Sequence, residues 1–263
     1  MRAFVWGLAL AFGFAASALA QPAGHWPDGR QAAIALTYDD AAPSQLEFAV
    51  PQLDAVGLKG TFFLSGNRMP ANVERWRAVG AEGHELANHT INHPCARGTF
   101  DMPAPYNTEN YTVQTMLTEI ATMNGYLQAL DHKTTHAYGT PCEQNLVGGQ
   151  DYIEPLVQAH LASFIRDHRT MPALVMYTGF VGKSGADMIA WVESVRRAHA
   201  AGVIVFHGVG GDFLITSAEA HQQLINYLKT HEREIWTTTF SELMAAAVAQ
   251  ANPADGTTAQ PPP

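Results

Sequence analysis

Short apolar runs alternate with helix-spaced apolar patterns along the body of this chain, and that alternation limits the fold more than any other feature. Ala32 to Tyr38 reads AAIALTY, a buried-strand pattern. Leu46, Ala49, Val50, Leu53 and Val56 follow at helical spacing, and Pro51 should kink that helix or force a restart. Gly60 to Leu64 (GTFFL) is a second strand, Asn72 to Val79 a short helix, and His84 to Ala87 a further strand. The clearest helix runs from about Glu109 to Leu130, with Val113, Met116, Leu117, Ile120, Asn124, Leu127 and Leu130 on one face, all but Asn124 apolar. Leu161 to Ile165 and Leu174 to Tyr177 read as strands. Met188, Ile189, Val192, Val195 and His199 share a helical face, with Gly202 as its cap. Val203 to Phe206 (VIVF) is the strongest late strand. Ser217 opens a helix, Ile235 to Phe240 is a last strand, and Ser241 caps a last helix.

Strands that alternate with helices build parallel β/α units. About seven such units in roughly 225 residues suit a single barrel better than two domains. Periodicity alone leaves an open doubly wound sheet as the alternative. In either case chemistry belongs just past the C-terminal ends of the strands.

The two ends of the chain stand apart from this pattern. Arg2 precedes an apolar run from Ala3 to Ala16, and Ala18-Leu19-Ala20 is a small-x-small cleavage site. Residues 1–20 are therefore expected to be a secretory signal peptide. The run is shorter than the ~20 apolar residues of a span, so no membrane insertion is expected after cleavage. The expected location is periplasmic or secreted, an oxidising compartment. Residues 251–263, ending NPADGTTAQPPP, read as a disordered Pro-rich tail, which leaves residues 21–250 as one catalytic domain.

Charge and cysteine content narrow the chemistry. The 263 residues carry 24 acidic and 15 basic side chains, a formal charge of -9, which argues against a nucleic-acid or anionic-membrane binder. Two cysteines cannot build a thiolate metal scaffold, whereas twelve histidines are present. Any metal chemistry would use imidazole and carboxylate.

Three places put such groups directly after a strand. Thr37-Tyr38-Asp39-Asp40 ends the first one. Adjacent carboxylates repel, and a cation would relieve that, though one Asp could equally cap the next helix. His89-Thr90-Ile91-Asn92-His93 places two imidazoles at i and i+4, on one face if the segment is helical. The two could then converge on one ion at about 2.0–2.1 Å per Zn–N bond, although a HExxH glutamate is missing. His207 ends VIVF before Gly208-Val209-Gly210-Gly211-Asp212, either as a general acid or as a hydrogen-bonded part of the fold.

Together, TYDD, HTINH and VFH resemble motifs one, two and five of the NodB-type polysaccharide deacetylases, carbohydrate esterase family 4. GTFFL matches the family's second strand, and the resemblance spans about residues 26 to 245. It implies an α/β fold, a distorted (β/α)7 barrel. It implies Asp39 as catalytic base, Asp40, His89 and His93 as ligands of one divalent metal ion, usually Zn2+, and His207 as general acid. The third motif, R-x-P-Y/F, aligns with Gly139-Thr140-Pro141-Cys142, so its arginine and aromatic are both replaced. That arginine steadies the base in the family, and Arg166, after LASFI, is a candidate to supply the guanidinium instead. The Cys142 backbone N–H is the expected oxyanion donor, and His84 a possible support of the second motif. His25-Trp26-Pro27 could line the pocket. For the fourth motif Asp187 and Trp191 are the nearby residues, and neither is assigned its role. Cys95 and Cys142 both fall at the rim of this site, so a disulfide is expected between them. Closing the 46-residue stretch between them is worth ~3–4 kcal/mol in the chain-entropy model. Two free thiols or cysteine ligation of the metal are the alternatives.

The resemblance implies an enzyme that removes acetyl groups from an acetylated polysaccharide. N-acetyl groups of peptidoglycan or chitin-type sugars and O-acetyl groups of xylan all fit. Two other readings compete. One is a catalytically weak, metal-containing carbohydrate-binding protein, suggested by the missing arginine. The other is a C–N hydrolase of a small cyclic amide.

Overall fold

The computed structural model of the chain describes residues 25–100 and 103–251. The expected signal peptide, residues 1–20, lies outside the described residues, as does the expected tail, residues 251–263, except for Ala251, which ends the last helix. Among the described residues there are ten strands: β1 (Ala32–Asp39), β2 (Thr61–Leu64), β3 (Glu85–Asn88), β4 (Tyr138–Gly139), β5 (Leu146–Val147), β6 (Gln150–Asp151), β7 (Ile165–Arg166), β8 (Val175–Gly179), β9 (Ala201–Phe206) and β10 (Ile235–Thr238). The helices are α1 (Val50–Ala55), α2 (Val73–Ala81), α3 (Val113–Asp131), α4 (Ile153–Gln158), α5 (Gly185–Arg197), α6 (Ala218–Thr230) and α7 (Phe240–Ala251).

Eight strands form one sheet in the order β7-β4-β3-β2-β1-β9-β8, with β10 also paired to β1. Every pairing in it is parallel, and the sheet curves into a half-barrel surrounded by helices. This is the expected barrel class. Strand β1 is its axis: Ala33 to Tyr38 pair with β9, Ala32 to Ala35 with β10, and Thr37 to Asp39 with β2.

The two faces of β1 bury different partners, as the period of two requires. Ile34, Leu36 and Tyr38 pack outward with Leu53, Val192 and Leu224 of the helices. Ala33 and Ala35 lie on the other face with Phe63, Ala87, Ala201 and Val203. Small side chains there leave room inside the curve of the sheet. Thr37 and Asp39 continue that inner row, so the strand delivers a carboxylate to the barrel's C-terminal rim.

Several boundaries differ from expectation. Gln45–Ala49 forms a π-helical turn before α1, and Pro51 falls in the first turn of α1, where a missing N–H costs nothing. Helix α3 starts at Val113 rather than Glu109, because extended Thr112 caps it by accepting from the Thr115 N–H at 3.1 Å. Gly202 is no helix cap: it sits inside β9, where an added Cβ would lie 2.8 Å from Ile34 and 2.9 Å from Trp191. Ser241 lies within α7 and bonds Glu85 instead of capping. Of LASFI only Ile165 joins a strand, and α4, β4, β5 and β6 had no apolar signal long enough to read.

Candidate metal centre and catalytic site

The strand ends β1, β3 and β9 bring the three candidate motifs to one rim. Immediately after β1 the chain turns left-handed at Asp40 (φ 75°) and Ala41 (φ 55°). The Asp40 N–H is tied to the Phe63 carbonyl at 3.0 Å. Gln45 locks the other side: its amide donates to the Asp39 carbonyl at 2.6 Å and to the His207 carbonyl at 2.9 Å. One buried side chain thus joins the ends of β1 and β9. Nothing in the sequence marked Gln45.

The two histidines meet without a helix. Residues 89–93 form a loop with positive φ at Thr90 (62°) and His93 (53°), which corrects the helical premise for their pairing. The loop is fixed internally by Thr90 N–H to Asn88 Oδ1 at 2.8 Å and His93 N–H to Thr90 Oγ1 at 3.0 Å. From α3, Glu119 accepts from the Asn92 N–H at 3.0 Å and the Asn92 amide at 2.8 Å, and from the Tyr111 hydroxyl. The imidazole centroids stand 4.8 Å apart.

The three expected ligands converge. His93 Nε2 lies 3.0 Å and His89 Nε2 3.6 Å from Asp40 Oδ1, and one ligand atom from each residue falls within a 4.8 Å set. Tetrahedral bonds of ~2.0–2.1 Å place ligand atoms roughly 3.3 Å apart, so the set is close to closing on one ion. Asp40 Oδ1 is buried, with His93 Nε2 as its ion-pair neighbour and no well-formed hydrogen bond of its own. Such a carboxylate oxygen facing two imidazole nitrogens fits a cation. His89 Nδ1 lies 2.8 Å from the Gly139 carbonyl, which can only accept, so its proton resides there and Nε2 keeps a lone pair. Burial, more than any neighbour, lowers the His89 pKa to about 4, so the ring is neutral at neutral pH. Burial would raise the Asp40 pKa, but His93, His89 and His207 outweigh it and hold the carboxyl well below the usual range.

Asp39 faces a different partner. Arg166, at the end of β7, donates to Asp39 Oδ1 at 2.7 Å and Oδ2 at 2.5 Å, and to Thr37 Oγ1 at 2.9 Å. Burial pushes the Asp39 pKa up, but the guanidinium, with help from His89 and His207, brings it below its ordinary value. Asp39 therefore stays ionised while sitting 3.7 Å from His89 Nε2.

His207 follows β9, half-buried, and lies near enough to Asp39 and Asp40 to help lower both carboxyl pKa values. Gly208 makes the turn behind it possible: a Cβ there would stand 2.0 Å from the Gly211 carbonyl oxygen. The turn is held by Val209 N–H to Ser44 Oγ at 3.2 Å and Ser44 N–H to Asp212 Oδ2 at 2.7 Å. Phe213 from that turn stacks under the Arg68 guanidinium at 4.5 Å, and Arg68 lies 4.0 Å from Asp40. These two residues rim the opening and carried no recognisable signal.

Cys95 and Cys142 are joined by a disulfide with a Cα–Cα distance of 5.7 Å. Cys95 Sγ lies 3.5 Å from His93 Nδ1, so the bridge backs the second imidazole. Their sulfurs group with His93, but a disulfide leaves no thiolate to ligate. Cys142 occupies the short 3-10 turn Pro141–Glu143 with φ 54°. Near the start of such a turn its N–H has no intrahelical acceptor.

Two expected contributors are elsewhere. His84 precedes β3 whereas His89 follows it, so about 16 Å of extended chain separates them. His84 instead accepts from the Gly60 N–H at 3.0 Å and pairs with Asp54 at 3.1 Å. It supports the base of the barrel, not the second motif. Trp26 is buried among Ala33, Ala201 and Met244, away from the rim. Asp187 completes a capping box with Ser184 at the start of α5, and Trp191 packs against Gly202, so neither reaches the site.

A parallel half-barrel with this carboxylate–imidazole rim has relatives of known fold. Residues 27–145 match the polysaccharide deacetylase family model. Over 69 residues the chain is 36% identical to the peptidoglycan-N-acetylglucosamine deacetylase of Bacillus cereus, covering 26% of this chain and 32% of that protein. The chain spans still less of two further curated relatives. A Mycobacterium smegmatis structure described as a polysaccharide deacetylase shares the fold with a TM-score of 0.60 at 18% identity, over 92% of this chain and 99% of that one. The peptidoglycan deacetylase PdaC of Bacillus subtilis does so with a TM-score of 0.53 at 18% identity, over 84% and 94%. The chain thus carries a polysaccharide deacetylase family match over residues 27–145, and its half-barrel is the fold of these solved deacetylases.

Proposed function

We propose that this chain is an exported, divalent-metal-dependent deacetylase of acetylated glycans. The observation that carries the proposal is the convergence of His89 and His93 on one buried carboxylate oxygen of Asp40, beside an ionised Asp39. Asp40, His89 and His93 would hold the ion, with zinc the best fit to two imidazoles and a carboxylate. When bound, such an ion supplies Lewis acidity toward a water and an acetyl carbonyl.

The chain's own groups account for the remaining chemistry. Asp39 takes a proton from the attacking water, and its bond to Arg166 keeps it charged and oriented for that task. The Cys142 N–H would receive the carbonyl oxygen as negative charge develops there. His207 gives a proton to the leaving sugar nitrogen or oxygen. Acetate and a free amine or hydroxyl leave.

Substrate follows from location and kinship. The apolar run and Ala18-Leu19-Ala20 site support export, where peptidoglycan, chitin-type and xylan polymers occur. The name of the Bacillus cereus relative favours N-acetylglucosamine of peptidoglycan among them. The test is acetate release from peptidoglycan, N-acetylglucosamine oligomers and acetylated xylan with added zinc. The expected result is release from at least one of them and a loss of about 10²–10⁴-fold in Asp39→Asn. Zinc bound but no acetate from any of them would support the carbohydrate-binding reading and overturn this one.

A further inference from the structure

Strands β4 and β7 pair in register, Tyr138 with Ile165 and Gly139 with Arg166. In-register residues of a parallel pair project to the same face, about 4.8 Å apart. Gly139 and Arg166 are therefore two possible origins for a single side chain reaching into the barrel toward Asp39. The space admits only one. An added Cβ at Gly139 would stand 2.9 Å from an Arg166 terminal nitrogen and 2.9 Å from the Phe63 ring. That ring is the surface on which the guanidinium lies, 4.0 Å from its centroid. Arg166 is 4% exposed and spends two nitrogens on the two oxygens of Asp39. A planar fork on both oxygens fixes the rotation of the carboxylate as well as its charge, which lysine cannot do.

We propose that Arg166 is the positioning residue of Asp39, and that Gly139 is its obligate complement, the arginine having moved across the β4–β7 strand pair. The proposal rests on the deacetylase reading for its catalytic part and on geometry alone for the pairing. Gly139 is needed because any side chain there displaces the guanidinium or the ring beneath it. The missing arginine at the third motif is thus a change of address, and it leaves Asp39 as well held as a bidentate pair allows.

The experiment uses Arg166→Ala in the full chain, with Arg166→Lys as a second variant that keeps charge and bulk. In Arg166→Ala, kcat for acetate release falls about 10²-fold while KM changes little. Arg166→Lys is also impaired, because a point charge cannot hold both oxygens. Added methylguanidinium restores at least about tenfold of the lost kcat in Arg166→Ala. It also raises the thermal midpoint of the metal-free Arg166→Ala protein, and fails to do so in Asp39→Asn/Arg166→Ala. Activity of folded Arg166→Ala within twofold of wild type overturns the proposal. So does a midpoint that responds to methylguanidinium while kcat stays low, which would make Arg166 a structural counter-charge only. If wild-type protein releases no acetate from any substrate, the deacetylase reading fails by itself. The metal-free midpoint then still decides the pairing, and no response to methylguanidinium overturns it.

Discussion

Removing the Cys95–Cys142 bridge should weaken the fold and disturb the site together. The two residues are 47 positions apart, and the described contacts place the bond between the loop after β3 and the turn after β4. In the chain-entropy account a loop of that size restricts the unfolded state by about 14 cal/mol/K, or about 4 kcal/mol at 25 °C. For a domain of this size each kcal/mol moves the thermal midpoint by roughly 2–4 °C, so a fall of about 8–16 °C is expected. The site suffers because Cys95 Sγ backs His93 at 3.5 Å and Cys142 carries the proposed oxyanion N–H. The comparison is oxidised protein, protein reduced with a phosphine, and Cys95→Ser/Cys142→Ser, each followed by urea unfolding and by zinc affinity. Reduced and doubly substituted protein should agree, with lower stability and weaker zinc binding. A loss below about 1 kcal/mol, or two titratable thiols in native wild-type protein, would refute the argument.

Two further outcomes follow from buried polar groups. His221 is fully buried between the Tyr38 hydroxyl at 2.7 Å and Gln52 Oε1 at 2.5 Å, and burial lowers its pKa to about 3. A folded pKa below the unfolded value of about 6.5 gives stability that is complete above pH ~6.5 and lost as pH falls toward 3. The loss should run at about 1.4 kcal/mol per pH unit, and His221→Gln should flatten the pH slope of the urea midpoint by about one proton. Glu119 anchors Asn92 between His89 and His93, the proposed ligands, so Glu119→Ala should weaken zinc affinity about 10–100-fold in a calorimetric titration. Wild-type affinity in that variant would mean the loop needs no anchor.

The legible part of this fold is the part with apolar runs. AAIALTY, GTFFL and VIVF are strands buried on both faces, and each was readable as β because both faces need apolar residues. Strands β4 and β7 are two residues each, too short for any period to show, and they are the ones that position Gly139 and Arg166. The sequence placed Arg166 near a strand end, but only the register of β4 against β7 puts its guanidinium where a side chain at Gly139 would lie. His84 shows the reverse failure. It is five residues from His89 in sequence, yet a strand rises steadily along its length and carries the two to opposite ends of the barrel. The His89 and His93 pairing was visible as a spacing, while its cause was not: positive φ at Thr90 and His93 folds the loop back where a helix was the simpler expectation. Gln45, Glu119 and Phe213 act through long-range contacts, and no local pattern distinguishes them from ordinary polar or apolar residues.

The central claim is that Asp40, His89 and His93 hold one ion on which acetate release depends. Metal-free protein titrated with zinc, with acetate release measured at each point, tests it most directly. The account predicts activity that rises linearly and breaks at one equivalent, with the break abolished in His93→Ala. Full activity in metal-free protein, or no activity at any zinc concentration on any of the three polymers, would contradict it.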